Sequence, residues 1–320
     1  MIKVKFLDNN KKTRSMLAIL IMFIYTNVCL GISDAKEKIL QIDKKTIVQL
    51  RKLAELGDAK FQYDLGAIYC VMQNYKKAFF WLTKSAKQGH PKAQYSLGSM
   101  YYNGDGPKQD YKRAIKWFGK SAEQGYAVAQ YSLGVMYRGG KGVEQNYKDA
   151  IKWFKKSAEQ GNAKAQYNIG AMYEHGEEIE QDYKEAIKWY KKAAEQGVTE
   201  AQFNLGVMYN NGKGVEQDYK EAIKWLKKAA EHGDAKAQYN LGVMYGKGKG
   251  VKQDYKEAYN WYKISAEQGY VDAQFNLGVM YINGIGIEQD YKEAIKWFEK
   301  AAEHGDDGAR MALTMIFESN

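Results

Sequence analysis

The chain has 320 residues, of which 45% are hydrophobic, and this is ample for a continuous core. It contains only 2 prolines against 31 glycines, which suits long helices punctuated by glycine and excludes Pro-rich linkers. The formal net charge is +10, with +4 in residues 1–33 and +6 in the remainder, a mild excess that makes nucleic-acid binding only a minor alternative.

Residues 1–33 have the pattern of a secretory signal peptide. A basic segment ends at Arg14, an apolar run covers residues 16–25, and small residues follow at Gly31 and Ser33. This order predicts export, with cleavage near Gly31–Ser33 and a mature protein that is periplasmic or secreted. The apolar run is short for a membrane span of about 20 residues, so an uncleaved N-terminal anchor is the main alternative. We expect no membrane span in the mature chain.

The chain has two cysteines. Cys29 lies in the signal segment, where lipidation is disfavoured because Val28 stands at a position that requires a small residue. Cys70 is then alone in the mature chain, which excludes an intramolecular disulfide. We expect Cys70 to close the first helix as a small residue, with intermolecular pairing as the alternative.

Tryptophan recurs every 36 residues, from Trp81 to Trp297, and marks an array of one supersecondary unit. The array predicts an all-α fold, a right-handed α-solenoid of seven antiparallel helix pairs. A capping helix is predicted at each end, in residues 34–56 and 305–320. In the first of these segments, Gln49 replaces tryptophan, and a polar residue there suits a terminal cap that faces water on one side. The predicted repeats are 57–88, 89–124, 125–160, 161–196, 197–232, 233–268 and 269–304.

The fifth repeat illustrates the predicted helix pair. In its second helix, Asp218 and Glu221 predict a start that resembles a capping box, and Gly233 predicts the end. An apolar arc predicts contacts with the partner helix and with the next repeat, and the lysines opposite form a solvated face. In the first helix, Gly206 predicts close approach of a neighbouring helix, because glycine otherwise costs about 1 kcal/mol there. The arc consists of Tyr219, Ala222, Ile223, Trp225, Leu226, Ala229 and Ala230.

The loop between the two helices carries two glycines, Gly212 and Gly214 in the fifth repeat, which predict turns with positive φ. The fourth repeat has Glu178 in place of the second glycine, so we expect its loop to differ in shape. The first repeat lacks this loop, and we expect a tighter turn between Tyr69 and Asn74.

The repeated motif is AQYNLGVMY, a glycine loop and DYKEAIKWYKKAAEQG, and it resembles the Sel-one-like repeat family of tetratricopeptide-like α-solenoids. It recurs with few changes from Ala93 to Gly305, and in reduced form from Ala59. The resemblance implies stacked antiparallel helix pairs that form a superhelix, and a role as an adaptor in protein complexes. Some secreted members are cysteine-rich and act on cell-wall-related substrates, but this chain lacks those cysteines.

The sequence offers little catalytic or metal-binding chemistry. The glycine loops have no preceding strand and no Gly-Lys-Ser/Thr continuation, so they do not form a phosphate cradle. The histidines at 90, 175, 232 and 304 lie in different repeats without further metal ligands nearby, so we expect surface residues, no metal and no cofactor. Nearly every polar residue recurs at 36-residue spacing, whereas catalysis requires different residues that converge. We predict no catalytic residue and no enzymatic activity, with a cell-wall-active or β-lactam-active protein as the alternative.

A candidate binding surface follows from the resemblance, because first helices usually line the concave face of such superhelices. Its middle position forms a ladder of Ser96, Ser132, Asn168, Asn204, Asn240 and Asn276. Four residues earlier stand Lys92, Val128, Lys164, Glu200, Lys236 and Asp272, and three residues later stand Ser99, Val135, Ala171, Val207, Val243 and Val279. Asparagine both donates and accepts hydrogen bonds, so we expect the ladder to bind an extended protein segment. The alternative is that the asparagines bond to neighbouring repeats and only support the stack.

These features together predict an exported, non-enzymatic scaffold that binds a protein or peptide on its concave face. Complex assembly, envelope and host-interaction processes are the expected settings. Nucleic acid is an unlikely partner, because Glu200 and Asp272 alternate with lysines along the variable position.

Overall fold

The structure is a computed structural model, and it describes residues 44–318. These residues form 16 helices and no strand, which confirms the predicted all-α solenoid architecture. The predicted signal peptide and the beginning of the N-terminal capping segment lie outside the described residues. The helices are α1 (Lys44–Glu55), α2 (Ala59–Val71), α3 (Tyr75–Lys87), α4 (Pro91–Asn103), α5 (Tyr111–Glu123), α6 (Ala127–Arg138), α7 (Tyr147–Glu159), α8 (Ala163–His175), α9 (Tyr183–Glu195), α10 (Thr199–Asn211), α11 (Tyr219–Glu231), α12 (Ala235–Lys247), α13 (Tyr255–Glu267), α14 (Val271–Asn283), α15 (Tyr291–Glu303) and α16 (Asp307–Glu318).

The chain divides into two compact units, one ending at Asn162 and the other beginning at Ala163. In the first unit, α1 precedes the helix pairs α2/α3, α4/α5 and α6/α7. In the second unit, the pairs run from α8/α9 to α14/α15, and α16 follows. We call the even-numbered helices from α2 to α14 the first helices and their odd-numbered partners the second helices. Within residues 44–318, no helix combines the length and the apolar character that crossing a bilayer requires.

The second helix α11 has the predicted core face but a simpler start. The carboxylate of Asp218 accepts hydrogen bonds from the backbone N–H groups of Lys220 and Glu221, at 2.9 and 3.1 Å. The reciprocal capping-box bond is absent from the described contacts, because the Asp218 N–H donates to the Tyr209 carbonyl. The Glu221 carboxylate instead pairs with Lys224. Six of the seven predicted arc residues are buried, and they are Ala222, Ile223, Trp225, Leu226, Ala229 and Ala230.

Gly206 of α10 is tightly packed, as predicted. A Cβ atom at this position would lie 2.6 Å from Cγ of Leu226 and 3.3 Å from the Ala222 carbonyl oxygen. Both residues belong to α11, so the helices of one pair approach each other closely at the glycine. The energetic cost of glycine within a helix is therefore offset by packing that no larger residue permits.

The fourth repeat keeps the loop shape of its neighbours, so the prediction of a different shape was wrong. Glu178 has a φ of 51°, in the left-handed region that Gly214 occupies at 68° in the fifth repeat. The Gln181 amide donates to the Glu174 carbonyl at 2.7 Å, as the Gln217 amide does to Asn210. These hydrogen bonds hold the loop in place, so Glu178 adopts a backbone conformation that strains a non-glycine residue.

Candidate functional site

Within each unit, buried glutamines join the first helices to the repeats that precede them. In α12, the Gln238 amide donates to the Ala230 carbonyl of the preceding repeat at 3.1 Å. The carbonyl oxygen of the same side chain accepts from Gln268, at the end of its own repeat, at 2.6 Å. Gln94 of α4 makes the same pair of bonds, to Ala86 and from Gln124. Because successive helical residues are rotated by about 100°, the residue two positions after the glutamine lies on the opposite side of the helix.

The predicted surface lies on this opposite side of the first helices in each unit. Its ladder residues are all partly buried, and they are Ser96 and Ser132 in the first unit and Asn168, Asn204, Asn240 and Asn276 in the second. The variable position is more open, with exposed Lys164, Glu200, Lys236 and Asp272, whereas Lys92 is partly buried. The first helices from α4 to α14 therefore each present a half-open amide or hydroxyl beside a position that varies in charge.

Two of the asparagines face a tyrosine of the preceding repeat. The Asn204 side chain lies close enough to the Tyr190 hydroxyl of α9 to act against the rise of its pKa, and this hydroxyl donates to the Glu174 carboxylate at 2.7 Å. The Asn276 side chain likewise lies beside the hydroxyls of Tyr262 and Tyr239. Burial raises the pKa of Tyr190 above its usual range, so this hydroxyl remains protonated and can donate. At these two positions, the asparagine contributes to the stacking of the repeats.

Asn240 has a different environment. Its amide donates to the Lys236 carbonyl of its own helix at 2.7 Å. The preceding second helix carries Leu226 where α9 carries Tyr190, so no hydroxyl is available to it. Asn168 makes the same own-helix bond, to the Lys164 carbonyl at 2.8 Å. The identity of the residue that faces each asparagine thus divides the ladder into members with different bonds.

A cavity of about 280 Å³ lies between the first helices α4 and α6. Three of its lining residues, Ser99, Ser132 and Val135, belong to the surface predicted from the sequence. The aromatic residues of the lining were not predicted, although the tyrosine or phenylalanine one residue before each ladder position could have indicated them. The lining consists of Tyr95, Ser99, Tyr102, Asn103, Phe118, Tyr131, Ser132, Val135 and Met136.

The first repeat continues the ladder with a carboxylate, which the sequence analysis did not include. Asp64 occupies the ladder position of α2, and it is buried at 1% exposure. Neither of its carboxylate oxygens has a hydrogen-bond partner within the described residues. Burial raises the pKa of Asp64 to about 6, and Lys60 partly opposes this shift. Alignment of the first repeat with the others would have identified this residue.

The remaining polar candidates have structural roles. The prediction that His90 is a surface residue was wrong, because His90 is partly buried and caps α4. Its Nδ1 accepts from the Ala93 N–H at 3.2 Å, and its ring stacks on Tyr63 with centroids 4.8 Å apart. Burial, followed by the nearby Asp105, raises the pKa of the Cys70 thiol to about 12, so the thiol remains protonated. Within the part of the chain that the structure describes, no three His, Cys, Asp or Glu residues group as metal ligands.

The sequence profile of the Sel1 repeat matches this chain throughout the helix pairs. The matched segments are 53–90, 91–126, 127–162, 163–198, 199–234, 235–270 and 271–306. No curated protein is significantly similar to the chain.

Two solved structures resemble the chain in both sequence and fold. One is c5321 of uropathogenic Escherichia coli, described as a protective antigen with an SLR fold, with 38% identity and a TM-score of 0.82. The match covers 85% of this chain but only 59% of that protein. The other is a Sel1 repeat protein from Oxalobacter formigenes, with 37% identity and a TM-score of 0.65. This second match covers 75% of this chain and 98% of the Oxalobacter formigenes protein.

Proposed function

Because this chain belongs to the Sel1 repeat family, whose members are generally protein-interaction scaffolds, we propose that it is an exported, non-enzymatic adaptor that binds an extended peptide segment on its first helices. The export component is supported by the order of basic, apolar and small residues in 1–33. The binding component is supported by the cavity between α4 and α6.

The cavity suits one side chain of a bound peptide. Its volume of about 280 Å³ lies at the lower edge of the range of about 300–1,000 Å³ that is typical of small-molecule sites. Aromatic rings supply apolar contact area, and the hydroxyls of Ser99 and Ser132 can pair with backbone amides beside the inserted side chain. An apolar or aromatic side chain on an extended peptide is therefore the ligand with the best fit.

Binding of peptides to the purified full-length chain tests this proposal directly. A library of fluorescent peptides with one central aromatic residue would be screened, and the best binder would be compared between Ser132→Glu and Lys148→Glu. Ser132→Glu places a charge in the cavity, whereas Lys148 is exposed on the second helix α7 of the same repeat. We expect Ser132→Glu to weaken binding at least about tenfold, because a buried unpaired charge costs several kcal/mol. Lys148→Glu should bind as the unmodified chain does.

A photo-crosslinker on the central side chain of the peptide provides a second readout. Crosslinks to Tyr95 or Tyr131 would support the cavity as the site, since both residues line it. Peptides that crosslink to the second helices, and that bind the Ser132→Glu chain with undiminished affinity, would refute the proposal. Circular dichroism of both variants would verify that they remain folded.

A further inference from the structure

Positive charge is concentrated in the first unit. Residues 44–162 contain 21 Lys and Arg against 9 Asp and Glu, a net charge of +12. Residues 163–318 contain 20 against 25, a net charge of −5. The modest net charge of the whole chain therefore conceals one strongly basic unit and one mildly acidic unit.

The second helix α3 has the most distinct charge pattern. It contains Lys76, Lys77, Lys84 and Lys87 and no acidic residue, and all four lysines are exposed. The equivalent helix α11 has Glu at two of these places and Lys at a third site where α3 has phenylalanine. The pairs that differ in charge are Lys77 and Glu221, Phe80 and Lys224, Thr83 and Lys227, and Lys87 and Glu231, so the net charge is +4 in α3 and +2 in α11. These departures from the repeat add positive charge and an exposed aromatic ring to the same helix.

Four of the exposed large apolar side chains lie in this basic part of the chain. Phe80 is 50% exposed, and Val48 occupies the same position on α1 with 52% exposure. Leu56 and Met72, which lie beside the ends of α1 and α2, are 80% and 49% exposed. Single exposed apolar residues are common on protein surfaces. Here all four lie within residues 48–80, close to the lysines of α3, the most basic of the helices.

A hydrogen bond joins the C-terminal ends of helices α1 and α3, which brings the exposed side chains of the two helices to the same end of the first unit. The Gln88 amide, at the end of α3, donates to the Gly57 carbonyl, at the end of α1, at 2.9 Å. The Lys84 ammonium lies 4.5 Å from the centre of the Phe80 ring, which places charge directly beside the apolar group. We define the basic–apolar face as Val48, Arg51, Lys52, Lys76, Lys77, Phe80, Lys84 and Lys87, all of which are exposed.

We propose that the basic–apolar face binds the surface of an anionic phospholipid membrane. Lysine and arginine beside anionic headgroups contribute about 1 kcal/mol each, and apolar side chains among them enter the boundary between headgroups and acyl chains. A nucleic acid also attracts basic residues, but a phosphate backbone offers no apolar phase for Val48 and Phe80. The exposed apolar side chains therefore favour a bilayer over a polyanion.

Vesicle binding by the full-length chain tests this assignment. Phosphatidylcholine vesicles with and without phosphatidylglycerol would be compared for Lys77→Glu/Lys87→Glu and for the control Lys220→Glu/Lys228→Glu, which makes the same charge change on α11. Helix α11 carries Glu221 and Glu231 at the positions of Lys77 and Lys87, so the repeat fold accommodates the test variant. We expect at least about thirtyfold weaker binding to anionic vesicles for the test variant and little change for the control. Equal losses in both variants, or no loss in either, would overturn the proposal.

A neutral substitution separates a membrane from a nucleic acid. Phe80→Asn introduces the residue that α13 carries at this position, Asn260, and leaves the charge unchanged. We expect about fivefold weaker vesicle binding, because the partly exposed ring no longer enters the bilayer. Tight binding of a 30-nucleotide DNA that Phe80→Asn does not alter, without specific binding to anionic vesicles, would contradict the membrane assignment.

Lysine acylation provides an internal control that does not depend on residues 1–43. With anionic vesicles present, acylation of Lys76, Lys77 and Lys84 should slow, whereas Lys220 and Lys228 should react as they do in solution. Mass spectrometry of the labelled chain reports both sets in one sample. Equal protection of both sets, or protection of neither, would show that vesicles do not dock on this face.

Discussion

The hydroxyl of Tyr190 donates a hydrogen bond of 2.7 Å to the carboxylate of Glu174. This bond joins the second helix α9 to the C-terminal end of its first helix α8, and the Asn204 side chain of the next repeat lies beside the same hydroxyl. Tyr190 is fully buried, so this hydroxyl lies where three helices of the second unit meet.

Replacement of Tyr190 by Phe should destabilise the fourth repeat by about 1.5 kcal/mol, because a hydrogen bond to a charged group is lost in a partly buried place. The ring itself should be tolerated, since α5, α7 and α15 carry Phe at this position. Tyr262→Phe is the control, because Gly246 stands there in place of Glu174. Urea denaturation and hydrogen exchange would measure the stability of both variants. Equal losses of stability would contradict a specific role for the Glu174 carboxylate.

The two kinds of ladder asparagine should respond differently to alanine. Asn204→Ala removes the polar contact with the buried Tyr190 hydroxyl and should lower the free energy of unfolding by about 1 kcal/mol. Asn240→Ala removes only a bond within its own helix, and alanine favours helix, so stability should be nearly unchanged. Thermal unfolding of the two variants tests the difference. If peptide binding survives in Asn240→Ala, then this asparagine does not contribute to the proposed surface.

The last repeat contains a buried polar atom without a hydrogen-bond partner, whereas the equivalent atom accepts a hydrogen bond in the glutamine pairs of other repeats. Oε1 of Gln274 is buried without a hydrogen-bond partner, because His304 contacts the Lys300 carbonyl instead. His304→Gln should restore the bond and slow hydrogen exchange in α14 and α15, with a gain of about 1 kcal/mol. His232→Gln is the control, because His232 already lies 3.2 Å from the carbonyl oxygen of Gln202. A similar gain from both substitutions would argue against the buried oxygen as the cause.

The loop of the fourth repeat should gain stability from glycine. Glu178 has a φ of 51°, so Glu178→Gly should stabilise the chain by about 1 kcal/mol through relief of backbone strain. The reverse change, Gly214→Glu, should cost more than this gain, because a Cβ atom there would also overlap Tyr183. Urea-induced unfolding of both variants would test the comparison. A loss of stability in Glu178→Gly would show that the glutamate makes a compensating interaction.

Asp64 should make stability depend on pH. Its pKa is about 6 in the folded protein and 3.8 without the protein environment, so the folded state binds more protons between these values. The contribution of Asp64 to stability should therefore be fully present below about pH 4 and fall by about 3 kcal/mol as the pH rises to above 6. Asp64→Asn should abolish this dependence and stabilise the protein at pH 7, since other repeats carry Asn there. Unfolding curves of Asp64→Asn at pH 4.5 and pH 7 test this expectation. A pH dependence of the same size in the variant would contradict this role of Asp64.

Much of the helical framework could be predicted from single repeats. Asp218 caps α11 and six of the seven predicted arc residues are buried, because both features depend on residues within one turn or one face of a helix. The close approach at Gly206 was also predictable, since glycine within a helix requires a packing reason. The loop at Glu178 was not, because hydrogen bonds from Gln181 and the loop backbone outweigh the preference of one residue.

The sequence by itself determined the helix pairs, their 36-residue spacing and the composition of the ladder, because caps, apolar periodicity and glycines act locally. Only the tertiary structure decided that Asn204 meets a tyrosine hydroxyl while Asn240 bonds to its own helix. It also brought α1 and α3 together through the bond between Gln88 and Gly57. Hydrogen-bond partners and shared surfaces depend on which side chain the neighbouring helix presents, and that information is distributed over residues distant in the chain.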